Sequence, residues 1–137
     1  MFIETIMNEG CPAYVEKFHI SPVEASRIIH GAGGKVVLAH PVAYAHEDGL
    51  SEEQVENLVA EMGADGVESY YIYADRNDEV FDECDKWGRL ADKLGKFKTI
   101  GSDFHVSDGI RPEVGFINTN LELSEDEMQQ IVKNLKK

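Results

Sequence analysis

Residues 33–41 read GGKVVLAHP, and this stretch decides the fold. Lys35-Val36-Val37-Leu38-Ala39 is a short, continuous apolar run rich in β-branched side chains. Such a run fits a parallel strand covered on both faces better than a strand with one wet face. His40-Pro41 stands at its C-terminal end. On the other side, Gly33-Gly34 stops a helix that Ser21 caps, with Pro22 in its first turn and Glu24 as a capping-box acid. Val23, Ala25, Ile28, Ile29 and Ala32 give that helix an apolar face.

The same alternation continues outward. Ser51 to Met62 is an amphipathic helix, with Ser51 and Gln54 in capping-box positions and Val55, Leu58, Val59 and Met62 on one face; Gly63 closes it. Gly66 to Tyr71 reads as a second strand. Asn77 to Lys93 reads as a longer helix, with Val80, Phe81, Cys84, Trp87, Leu90, Ala91 and Leu94 toward the core and Gly95 at its end. Phe97 to Gly101 is a third strand. A last helix starts at the Ser124-Glu125-Asp126-Glu127 capping box and runs to a terminus where Lys133, Lys136 and Lys137 suit the helix dipole. Residues 1–20 suggest a short helix, then a loop carrying Tyr14, Val15 and Phe18. The order predicts an α/β fold in which parallel strands alternate with helices through right-handed crossovers. At 137 residues, the chain can bury one modest core, so residues 1–137 are read as a single unit.

Composition narrows the functions. Thirteen Lys and Arg against 26 Asp and Glu give a formal charge of −13, which repels a phosphate backbone and argues against general nucleic-acid binding. Most of these carboxylates are read as a solvated surface. Cys11 and Cys84 lack CxxC spacing and the density of a disulfide scaffold, so reduced thiols in a cytoplasmic protein are expected. No apolar run reaches the roughly 18 residues of a membrane span, and MFIETIMNEG lacks the basic region of a signal peptide. Phosphate-cradling and serine-hydrolase motifs are absent.

Ligand sites in parallel α/β folds gather at the carboxyl ends of the strands, where His40, Glu68, Asp103 and His105 all fall. Asp103 and His105 are two residues apart, so in an extended or gently turning segment both side chains leave one face. Imidazole with carboxylate suits Zn, Mn or Fe, and His40 from a neighbouring strand can complete a three-ligand set with open positions. Each residue also has a plainer role: His40 hydrogen-bonding a backbone carbonyl, or Asp103 capping a turn. Glu68 interrupts an apolar strand, as a ligand, a partner to a ligating histidine, a substrate contact, or a charge facing water. Arg111 is placed to reach a phosphate or to sit on the surface. His30 is explained by a dipole contact at a helix end, and His46 is read as a loop residue.

At these residues the sequence resembles the PHP (polymerase and histidinol phosphatase) family of metal-dependent phosphoesterases. The matching pieces are Ser21 to Ala25 through Gly33 to Pro41, then Gly66 to Tyr71, then Gly101 to His105, over roughly residues 1–118. Their order and spacing are similar to the second half of that domain. The resemblance implies part of a distorted (β/α)7 barrel, a divalent metal centre of Mn, Fe or Zn held by His40, Asp103 and His105, and hydrolysis of a phosphorylated small molecule or nucleotide. The family's opening HxH motif and first-half ligands have no counterpart here. Where family members often carry a histidine beyond the glutamate matched by Glu68, this chain reads Tyr70-Tyr71-Ile72-Tyr73-Ala74-Asp75-Arg76. Two expectations follow: a fragment of an enzyme, weak or inactive by itself, or a non-catalytic half-barrel that binds metal, a small anion or a partner chain. A homodimer that closes the barrel fits the exposed sheet edges of such a half.

Overall fold

The structure is a computed structural model, and it describes residues 5–6, 9–16, 18–105, 107, 114 and 123–136. Helix α1 (Pro22–Gly31) leads to strand β1 (Val37–Leu38), helices α2 (Pro41–Glu47) and α3 (Glu52–Glu61), and strand β2 (Gly66–Tyr70). A hairpin of β3 (Ile72–Ala74) and β4 (Val80–Asp82) follows, then α4 (Cys84–Lys93), β5 (Phe97–Ile100) and α5 (Glu125–Leu135). The main sheet has the order β1-β2-β5 with both pairings parallel, as the helix and strand alternation requires.

Capping chemistry places the helices. Ser21 Oγ accepts from Glu24 N, and Ser51 and Ser124 each form a full capping box, with Gln54 and Glu127. Each cap satisfies amide groups that the first helical turn leaves without partners. The core lies between the sheet and helices α2, α3 and α4. Trp87, Leu90, Val42, Val55, Val59 and Val67 are almost wholly buried, and each contributes roughly 1.5–3 kcal/mol relative to exposure. Helix α1 differs. Its one buried residue is Ser26, while Val23, Ile28 and Ile29 are 51%, 54% and 41% exposed.

Three expectations need correction. The first strand is two residues long rather than five, although the Asp65 carboxylate still accepts from Val36 N at 2.8 Å just before it. The segment after His40 is helix α2, not a loop, and His46 is part of it. The helix expected over Asn77–Lys93 begins only at Cys84, and Val80 and Phe81 belong to the hairpin. The reason is turn chemistry at Asp75. Its carboxylate accepts from the backbone of Asn77 and Glu79 at 2.8 and 2.9 Å, and Asp78 takes the left-handed φ of 61°. This closed turn prevents a helix from starting there. It also leaves Val80 57% exposed.

Candidate functional site

His40 lies two residues past β1 in the left-handed conformation, φ 31° and ψ 59°, and is the N-cap residue of α2 with Pro41 next to it. Its backbone N–H donates to Glu68 Oε2 at 2.8 Å. Its Nδ1 is buried without a hydrogen-bond partner. The ring lies between Tyr44 and Tyr71, at centroid distances of 5.4 and 5.7 Å. An unpartnered buried imidazole nitrogen loses its hydration with no return, so it is available to a ligand. Burial first, then the carboxylates of Asp48 and Glu68, raise the Tyr44 phenol above its ordinary range, so a neutral hydroxyl stands at this site.

Glu68 is a half-buried residue of the central strand, between the segments that follow β1 and β5. One carboxylate oxygen holds His40 just past β1, and the other lies where a Cβ on Gly101 would sit, just past β5. The register of β2 against β5 shifts between Glu68 and Tyr70, a bulge of the kind that re-aims side chains near sites. The hydroxyl of Ser69, at this bulge, donates to the Trp87 carbonyl and anchors the strand to α4.

Asp103 also has a left-handed backbone, with φ 49°. His105 Nδ1 is 2.7 Å from the Asp103 carbonyl oxygen and 3.8 Å from its Oδ1. A carbonyl can only accept, so Nδ1 is the donor in this contact. Both side chains are open to solvent, 41% and 68% exposed.

Asp103 and His105 line a cleft of about 380 Å³ with Glu47, Tyr71, Tyr73, Ala74, Asp75 and Arg76. Tyr71 lines this cleft and also faces the His40 ring, so His40 and Glu68 form one part of the region and Asp103 and His105 another. Donor types fit a divalent ion: an unpaired buried imidazole nitrogen, a second imidazole and a carboxylate. Among the described residues, however, no three His, Cys, Asp or Glu side chains converge to hold an ion. Arg111 lies outside the described residues.

Six residues line the cleft beside the expected Asp103 and His105, and Arg76, Glu47 and Tyr73 bring its added polar groups. The signal for Arg76 is the turn-forming Asp75-Arg76-Asn77-Asp78 stretch. Tyr73 donates to Glu47 Oε1 at 2.6 Å. Burial, then that bond and the charges of Glu47 and Asp75, push the Tyr73 phenol up to about 12. His46 stacks on Phe81 at 3.8 Å, and its Nε2 lies 3.3 Å from Glu83 Oε1. Together these contacts fasten α2 to the hairpin. His30, at the end of α1, has a specific partner beyond the helix dipole: its Nε2 is 2.8 Å from Asp65 Oδ2.

No protein-family profile matches the chain. It is 30% identical over 100 residues to a 3',5'-nucleoside bisphosphate phosphatase of Chromobacterium violaceum, a match covering 73% of this chain and 33% of that protein. Its fold is similar to the crystal structure of a protein from Bifidobacterium adolescentis assigned as a metal-dependent phosphoesterase. That likeness has a TM-score of 0.58 at 22% identity, and covers 93% of this chain and 41% of the other. The chain thus spans between a third and about two-fifths of the length of these proteins. Among the described residues, no helix is long and apolar enough to cross a membrane.

Proposed function

We propose, from the premise that the chain is PHP-like and has the fold of part of that barrel, that it carries part of a metal-dependent phosphoesterase site. The observation that supports this most is the buried, unpartnered Nδ1 of His40, just past β1 where the AHP motif put it. His40, Asp103 and His105 would hold a divalent ion, Mn, Fe or Zn. When bound, such an ion supplies a Lewis acid and a water of lowered pKa. Glu68 positions the His40 main chain, and the Asp103 carbonyl keeps the His105 proton on Nδ1. Arg76 shares the cleft with Asp103 and His105 and can grip phosphate oxygens through two parallel N–H bonds; Arg111 is the further candidate for that grip. The aromatic walls of Tyr71 and Tyr73 suit a base or sugar. The substrate in this reading is a phosphorylated small molecule or nucleotide, with nucleoside 3',5'-bisphosphates first because the Chromobacterium violaceum relative is named for them. The protein would work in the cytoplasm, and donors beyond His40, Asp103 and His105 would complete the ion's shell, with a homodimer as one source.

A second reading has one observation in its favour: three donors do not converge among the described residues. In that reading the chain is a non-catalytic half-barrel that binds metal, an anion or a partner. One experiment separates the two. The purified chain is dialysed against Mn, Fe or Zn, bound metal is counted, and a nucleoside 3',5'-bisphosphate and a generic phosphate ester are assayed beside His105→Ala. Stoichiometric metal with turnover that the variant loses supports the enzyme. Metal without turnover supports the module. No metal with any of the three ions overturns the metal centre itself.

A further inference from the structure

Helix α5 has two faces, and the fold uses one of them. Ile131 is 7% exposed and, with Glu127, Gln130 and Asn134, faces Tyr70 and Phe97. On the other side Met128, Val132 and Leu135 are 49%, 49% and 51% exposed. Their spacing, four residues and then three, is that of a seam between paired helices. Met128 and Val132 lie in an open groove of about 700 Å³ flanked by Glu125, Gln129, Lys133 and Lys136.

The charges on this groove are ordered along the helix. Of the first-turn acids, Glu125 lines the groove, while Lys133 stands in the last turn and Lys136 at the C-cap. A second α5 laid antiparallel would set its Lys133 and Lys136 against this Glu125, and the reverse at the other end; a parallel one would set like against like. Only the antiparallel arrangement is complementary to itself, as a two-fold interface requires. A chain of net charge −13 repels its own copies, so association calls for such a local match. We propose that the Met128, Val132 and Leu135 face of α5 is a docking surface for a second copy of this chain, joined antiparallel. This surface is a helix face, distinct from the sheet edges, and the proposal does not depend on the metal reading.

Sedimentation of the full chain over a range of concentrations tests it, with circular dichroism to check that each variant is folded. The wild type should form a dimer that Val132→Asp weakens at least ten-fold. Glu125→Lys and the Lys133→Glu/Lys136→Glu pair should each weaken self-association several-fold, while a mixture of the two should recover dimers containing one of each. A wild type that stays monomeric at every concentration overturns the proposal, because another segment or partner then covers the face. So does a dimer that Val132→Asp leaves intact. A dimer lost with Val132→Asp but without preferential mixing of the charge variants overturns the antiparallel arrangement.

Discussion

Glu68 Oε2 accepts the backbone N–H of His40 at 2.8 Å, so the middle strand of the sheet holds the residue whose own ring nitrogen has no partner. The same carboxylate occupies the space beside Gly101. One acid thereby sets the backbone on both sides of the candidate site.

Glu68→Ala should lower stability by about 1–3 kcal/mol, because a part-buried amide loses a charge-assisted acceptor. Glu68→Gln keeps an acceptor and should lose less. Urea unfolding measures both, and equal stability of the alanine variant and wild type would remove Glu68 from this role.

Gly101→Ala should cost about 1–3 kcal/mol through overpacking against the Glu68 carboxylate. Combined with Glu68→Ala, the added cost should largely disappear, since the two sites are in contact and couple. Simple additivity in the double variant would show that the carboxylate is not what excludes a Cβ.

Asp65 links His30, Lys35 and the amide of Val36. Burial alone would raise its carboxyl, but the bonds from Val36, His30 and Lys35 outweigh this and lower it from 3.8 to about 2. A depressed carboxyl stabilises the fold above its unfolded value, and that contribution is lost as pH falls toward the folded one. Asp65→Asn should therefore cost about 1–2 kcal/mol at neutral pH, with the gap from wild type closing between pH 3.8 and about 2. A gap that does not change with pH in that range would contradict this.

Tyr73 should ionise late, with its phenol at about 12. A phenol raised above its unfolded value of 10.0 stabilises the fold below that value, and the contribution fades as pH climbs toward 12. Ultraviolet titration should show one late phenolate that Tyr73→Phe removes. The variant should lose about 1 kcal/mol with the bond to Glu47.

Ser26 Oγ is buried without a partner in the middle of α1. Ser26→Ala removes an unsatisfied hydroxyl and adds helix propensity, so it should raise stability by about 1 kcal/mol. A loss on thermal melting would mean the hydroxyl has a partner in solution.

The legible parts of this fold were those governed by near neighbours. The caps at Ser21, Ser51 and Ser124 each use a residue three positions on, and the parallel strand order followed from alternating helices and strands. Helix α2 escaped notice because its N-cap, His40, makes no side-chain cap bond, so the usual polar signal is missing. The hairpin escaped because Val80, Phe81 and Cys84 match a helical period, whereas the decisive bonds come from the Asp75 carboxylate.

The amino-acid sequence by itself determined the caps at Ser21, Ser51 and Ser124 and that the main strands run parallel; it put Glu68 at a strand end, whereas Glu68 lies in the middle of β2, and His40, Asp103 and His105 follow their strands by a few residues. Only the tertiary structure decided that Glu68 serves the His40 main chain, that Arg76, Glu47 and Tyr73 join Asp103 and His105 in a cleft, and that one face of α5 stays bare. The physical reason is range. Caps and apolar periods are satisfied within a few residues, but which carboxylate meets which amide depends on strands and helices packing across gaps of 26 to 28 residues, as in Tyr73 with Glu47 and His40 with Glu68.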